Sequence, residues 1–224
     1  TYTSLTSMTF PDIDILRMRY LRGPNVWTYR PVIEAWVDLG ALEDHPSHTL
    51  PGFVERLNAW LPGMVEHRCG VGERGGFLQR LNEGTWCGHI MEHVAIELQT
   101  LAGMQVGFGK ARETSQRGVY KVVIRTRQEE VGKESMTAAR DLVMAAINNT
   151  AFDLKATVSR LKTMVDRLCL GPSTACIVDA ATDHRIPSIR LTSGNLVQLG
   201  YGSLQRRKWT AETDRTTAIA GSIS

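Results

Sequence analysis

The segment "GVYKVVIRTRQEEVGKESMTAARDLVMAAINN", residues 118–149, does most to limit what this chain can fold into. Its first ten residues concentrate Val119, Tyr120, Val122, Val123 and Ile124 between a glycine and polar residues, which predicts a strand. From Glu129 onward the apolar residues recur at helical spacing for about twenty positions, predicting a long amphipathic helix. A strand followed at once by a helix has two apolar faces to bury, and laying helices on one sheet buries both.

The remaining pattern agrees with that plan. Residues from Ile13 to Tyr20 alternate apolar and polar and then turn at Gly23-Pro24, predicting one strand, and "PVIEAWVDLG" (31–40) predicts a second. "DHPSHTLPG" reads as loop. Pro51 stands where the first turn of a helix accepts proline, ahead of Phe53, Val54, Leu57, Trp60 and Leu61 at helical spacing. "GMVEHRCG" predicts a short strand before the glycine-rich "GVGERGG", and residues 84–103 predict another helix. Strands and helices alternate without a regular βαβ rhythm, so the expected fold class is α+β. Residues 1–150 form a two-layer domain, and 151–168 a helical connector carrying Leu154, Val158, Leu161, Val165 and Leu168 on one stripe. Beyond it, residues 169–224 read as a second, unfinished unit. A helix opens at Pro172-Ser173-Thr174 and stops before Pro187, short strands surround glycine turns, and "TDRTTAIAGSIS" begins a further helix.

Composition narrows the partners. The formal charge is only +3 and the basic residues are scattered, with no arginine-rich arm or zinc finger, so nucleic acid is not expected. No apolar run approaches the ~20 residues of a membrane span, and "TYTSLTSMTF" lacks the pattern of a secretory signal. Cys69, Cys87, Cys169 and Cys176 share no C-x-x-C spacing and read as free thiols in a reducing compartment, which places the chain in the cytoplasm.

Chemistry concentrates in "GTWCGHIMEHVAIELQTLAG", residues 84–103. At 100 degrees per residue, Ile90, Met91, Val94, Ala95, Leu98, Leu101 and Ala102 fall on one stripe, while His89, His93, Glu97 and Glu92 share the opposite, polar side. Thr85 is a candidate N-cap and Gly103 a candidate left-handed C-terminal cap. Imidazoles at i and i+4 can reach one ion, and His89-Ile90-Met91-Glu92-His93 matches the H-x-x-E-H string of inverted zincins. In that arrangement two histidines and a distant carboxylate hold Zn2+, and the intervening glutamate, here Glu92, moves the proton. Spacing does not fix the third ligand: Glu130 is the first candidate, with Glu129 and Glu97 as alternatives. Chance would produce such a string ~0.01 times in a chain of this composition. Two plainer readings stand beside it. One is a polar face without metal. The other is a structural zinc site that recruits His67 or Cys69 from "VEHRC". Elsewhere, "GPST" opening a helix offers N–H groups and the hydroxyls of Ser173 and Thr174 to a carboxylate or phosphate, or simply caps itself. "GVGERGG" lacks the Lys-Ser/Thr of a phosphate loop, and "LQRRKW" reads as a strand with a solvated face.

Several of these stretches together resemble one family. "ILRMRYLRGPNVW", "LPGFVERL", "GGFLQRLNEGTWCGHIMEHVAIELQTLAGMQVGFGKARET", "GPSTACIVDAA" and "NLVQLGYGSLQRRKWTAETDRT" are similar to the amino-terminal part of the cyanophycin synthetases. The resemblance implies a parent that is an ATP-dependent ligase, joining aspartate and arginine into multi-arginyl-poly-aspartate with ATP and Mg2+. It implies a polymer-binding domain in residues 1 to about 160 and the first, incomplete lobe of an ATP-grasp domain after it. It further implies that the polymer is trimmed into primers at a metallopeptidase-like site matching His89, Glu92 and His93, and that Ser173, with Thr174, helps hold the polymer end. Homo-oligomers, dimeric or tetrameric, are implied for the full-length form. A relative that joins preformed dipeptides fits the same residues. The second lobe and the magnesium carboxylates are expected beyond Ser224, so the chemistry expected of this stretch alone is hydrolysis.

Overall fold

The computed structural model describes residues 9–69, 72–209 and 212–213, and divides the chain into two units. The first takes in residues up to Leu21 and Val32–Asp166; the second takes in Arg22–Pro31 and the residues from Arg167.

In the first unit a four-stranded antiparallel sheet has the order β1-β2-β4-β3, from β1 (Asp14–Leu21), β2 (Val32–Asp38), β3 (Gly109–Glu113) and β4 (Val119–Arg125). The register sets Ile33 against Ile124 and Ala35 against Val122, so alternate residues of the two central strands supply one continuous apolar face. That face is covered by α3 (Cys87–Leu101) and α4 (Glu129–Asn148), and around them lie α1 (Phe53–Trp60), α2 (Gly76–Glu83) and α5 (Leu154–Leu168). The predicted two-layer α+β arrangement is what forms. Gln128 caps α4 by accepting from the Val131 N–H at 3.0 Å, and Asn149 ends it in the left-handed region at φ 53°. On α5, Leu161 is fully buried, with Val158, Met164 and Val165 packed beside it against the same core. The opposite face of the sheet is polar: Arg17, Trp36, Lys121 and Arg112 lie opposite one another in a row across four strands. The Trp36 ring carries Arg17 at 4.9 Å and Lys121 at 4.6 Å from its centre.

Two local expectations need correction, and two elements form where the sequence shows no clear pattern. The described residues of "GMVEHRCG" contain no strand: Pro62–Glu66 is a 3-10 helix that buries Met64, and His67–Cys69 are irregular. Residues 76–83 form α2, whose core-facing Phe77 and Leu81 are too few to stand out in a glycine-rich stretch. The edge strand β3 sends only Ala111 against the core and shows no alternation to read. Pro51 lies outside α1, which starts at Phe53 after Gly52 in the left-handed region.

The second unit contains α6 (Pro172–Asp183) and a four-stranded antiparallel meander, β5 (Ser188–Arg190), β6 (Leu196–Leu199), β7 (Arg206–Trp209) and β8 (Glu212–Thr213). Arg30 forms ion pairs with Asp179 and Asp183, and the Arg185 guanidinium lies 4.8 Å from the Tyr29 ring centre. As expected, "LQRRKW" is a strand with a mostly exposed face. The helix expected in "TDRTTAIAGSIS" lies almost wholly outside the described residues. No described helix is long and apolar enough to cross a membrane.

Candidate metal centre

α3 is buried on nearly every side, and this changes the meaning of its polar face. Glu92, His93 and Glu97 are 6%, 8% and 5% exposed, so this polar face is dry. The reason is α2, which lays Phe77 over the histidines: its ring stacks on His93 with centres 4.0 Å apart and meets His89 edge-on at 5.6 Å. A polar group enclosed this way needs a partner, and His93 and Glu97 both find theirs in His67.

His89 and His93, one turn apart, bring their Nε2 atoms to 3.1 Å. Cys69, from the irregular segment before α2, places Sγ 3.1 Å from His89 Nε2. One ligand atom from each of the three lies within 4.8 Å of the other two. On the far side of each ring, His89 Nδ1 is 2.8 Å from Thr85 Oγ1, and His93 Nδ1 is 2.8 Å from His67 Nδ1. His67 Nε2 in turn is 2.9 Å from Glu97 Oε2. Protons on Nδ1 of both helix histidines and on Nε2 of His67 satisfy this whole chain. The same assignment turns both Nε2 lone pairs toward Cys69. Glu97 holds its place because Gly63 has no side chain: a Cβ there would lie 2.1 Å from Glu97 Oε1.

Burial sets the protonation states. It pushes His93 down to about 2, helped by neighbouring His89 and His67, and His89 down to about 4, helped by Arg80. Both rings are therefore neutral at physiological pH, the form that binds a metal. The Cys69 thiol is pushed up, first by burial and then by Glu92, with Arg80 opposing. Burial alone pushes the Glu92 carboxyl up to about 8. Its Oε1 stands 4.0 Å from His93 Nε2, and its side chain fits into β3 where Gly109 leaves room.

A tetrahedral zinc with donors ~2.0–2.1 Å away sets its nitrogen ligands about 3.3 Å apart. The Nε2 separation of 3.1 Å and the thiol beside it suit that geometry, so Cys69, His89 and His93 fit zinc. The third ligand expected from sequence is placed differently. Glu130 is exposed at the start of α4, Glu129 pairs with Lys133 at 2.6 Å, and Glu97 is engaged with His67; none joins the cluster. Cys69 does, as the structural-zinc alternative allowed. The hydroxyl of Thr85 supports His89 and caps nothing, and the N-cap of α3 is Trp86. Phe77 gives no signal in the sequence, and Thr85, expected as a cap, instead backs the His89 ring four residues on.

In the second unit the N-cap of α6 is Gly171, whose N–H donates to Asn195 Oδ1 at 3.0 Å, so neither Ser173 nor Thr174 caps the helix. Ser173 is exposed, and the buried Thr174 Oγ1 has no hydrogen-bond partner.

Comparison with known proteins gives one consistent family. Residues 34–148 match the cyanophycin synthase-like N-terminal domain. The cyanophycin synthetases of Geminocystis herdmanii and Trichormus variabilis are each 43% identical over 207 residues, covering 90% of this chain and 24% and 23% of theirs. That of a Synechocystis strain is 44% identical over 198 residues, covering 86% of this chain and 23% of its own. The chain thus spans about a quarter of the length of these relatives.

Proposed function

The chain belongs to the cyanophycin synthase-like N-terminal domain family, and on that premise we propose that its first unit binds cyanophycin and hydrolyses the polymer backbone into primers. The observation that carries this reading is the convergence of Cys69, His89 and His93 with Glu92 Oε1 4.0 Å from the His93 nitrogen. Cys69, His89 and His93 would hold the zinc ion, which when bound would supply Lewis acidity toward the amide carbonyl. Glu92 would take a proton from the attacking water and pass it to the departing amine, while the oxygen of that water completes the new carboxyl group. One amide and one water give one acid and one amine. Thr85 and the His67–Glu97 pair fix the two imidazoles, and Phe77 keeps bulk water from their rings.

The wider proposal concerns the full-length parent. It is a cytoplasmic, homo-oligomeric ATP-dependent ligase using Mg2+ to add aspartate and arginine. The second unit is the opening of its ATP-grasp domain, where Ser173 and the unpartnered Thr174 hydroxyl receive the polymer end. One observation favours a rival reading, a polymer-holding module with structural histidines: a cysteine beside the two histidines also suits a closed structural zinc site.

Cyanophycin chain length and bound zinc, followed for wild type and Glu92→Gln, separate the two. Cleavage by wild type, with a variant that keeps zinc but does not cleave, supports the peptidase. Zinc in both with cleavage in neither supports the structural site.

A further inference from the structure

β3 is an edge strand, and its hydrogen-bond phase is fixed by its neighbour. The Arg125 N–H donates to Phe108 O at 2.8 Å and the Thr114 N–H to Val119 O at 2.8 Å. With the register Lys110–Val123 and Arg112–Lys121, every second residue of β3 is therefore tied to β4. Gly109, Ala111 and Glu113 turn their N–H and C=O groups the other way, toward an edge with which no described strand pairs. Gly109 is also the residue whose missing side chain admits Glu92: a Cβ there would lie 2.6 Å from Glu92 Oε1 and 2.8 Å from Ile96 Cδ1. One residue thus offers an unpaired main-chain donor and acceptor and stands against the proton-carrying group of the candidate site.

We infer that the open edge of β3 is the dock for the chain to be cut, which adds to the sheet as an extended strand through its own backbone amides. The inference rests on the hydrolytic reading above and deepens it by naming what is recognised: the main-chain N–H and C=O groups of a polyamide, paired with Gly109 and Ala111. A strand so placed lies alongside Glu92, with the Cys69–His89–His93 cluster next to it. Its alternate side chains stand beside Lys110 and Arg112, which point to the outer, cation-rich face of the sheet, so carboxylate-bearing side chains suit those positions. A neutral or basic polypeptide lacks that second match.

Strand addition leaves a signature that a diffuse charge contact does not: amide protection with a period of two. The probe is a set of short cyanophycin oligomers added to zinc-loaded Glu92→Gln protein. Exchange of the Gly109, Ala111 and Glu113 amide protons is expected to slow roughly tenfold or more, while those of Lys110 and Arg112, already in the ladder, change little. Ala111→Pro removes an edge-facing N–H without taking a ladder bond, and its ring fills the edge. It is expected to weaken oligomer binding on the order of tenfold with zinc content unchanged. Oligomer binding without alternating protection on β3, or with unchanged affinity in Ala111→Pro, overturns the inference while leaving hydrolysis standing. Alternating protection in a protein whose wild type never cleaves upholds the dock and removes the hydrolytic reading. Protection that rises with protein concentration in the absence of oligomer assigns the edge to a second copy of the chain and refutes the proposal.

Discussion

Glu92→Gln should stabilise the metal-free protein, and by an amount that depends on pH. Burial lifts the Glu92 carboxyl from 4.5 to about 8, so between those values the folded chain keeps a proton that the unfolded chain has released. The unfolded state then binds fewer protons, and stability falls as pH rises through that window, levelling off above 8. Each pH unit is worth ~1.4 kcal/mol, which makes the carboxyl ~3 kcal/mol unfavourable to the fold at pH 7 and almost neutral at pH 4.5. Glutamine has the shape of the protonated acid and never ionises, so the variant lacks this penalty. His89 and His93 lose stability in the opposite direction, as pH falls below 6.5, but they are present in both proteins and cancel in the comparison. Urea unfolding in the presence of a chelator, followed by circular dichroism, should show midpoints that nearly coincide at pH 5. At pH 7.5 the variant should unfold about 1 M later. Adding zinc should shrink the gap, because a cation beside His93 would favour the nearby carboxylate. Equal midpoints at both pH values, or a variant less stable at pH 7.5, would show that Glu92 is not held in a dry site.

Cys69→Ser should lower zinc affinity by more than the ~10–100-fold that loss of an outer partner costs, as measured by competition with a chromophoric chelator. Thr85→Val leaves the three ligands intact and takes away only the group behind His89, so the same assay should show a fall of about tenfold with an unchanged fold. Gly109→Ala pushes a methyl to within 2.6 Å of Glu92 and should abolish cleavage while zinc content stays near wild type; full activity would mean Glu92 works from another position.

The parts of this site that sequence reveals are those a single helix encodes. His89, Glu92 and His93 are placed by the 3.6-residue turn alone, and the cap at Gly103 by its left-handed φ of 91°. Cys69 reaches His89 across twenty residues that contain α2, and no local pattern measures that distance. Glu130 and Glu129 were attractive because they open a helix near the end of a core strand, yet the N-terminus of α4 delivers them to solvent and to Lys133. The dryness of the polar face was equally out of reach, since it depends on Phe77 folding back from another element. The central strands were plain because β2 and β4 each bury a row of branched side chains, while β3 buries one alanine and leaves no trace of a strand.

The three candidate ligands do not share the same mechanical fate. His89 and His93 are carried by α3, whose side chains are enclosed by sheet and helices and which therefore belongs among the last parts of the unit to open. Cys69 follows a 3-10 helix in irregular chain, held by main-chain bonds from the Gly75 N–H to Val65 O and the Phe77 N–H to His67 O rather than by a helix of its own. An ion held by all three would leave by the weakest arm: release of Cys69 would free one coordination position while the histidine pair stays assembled, and metal exchange would then run faster than unfolding of the unit.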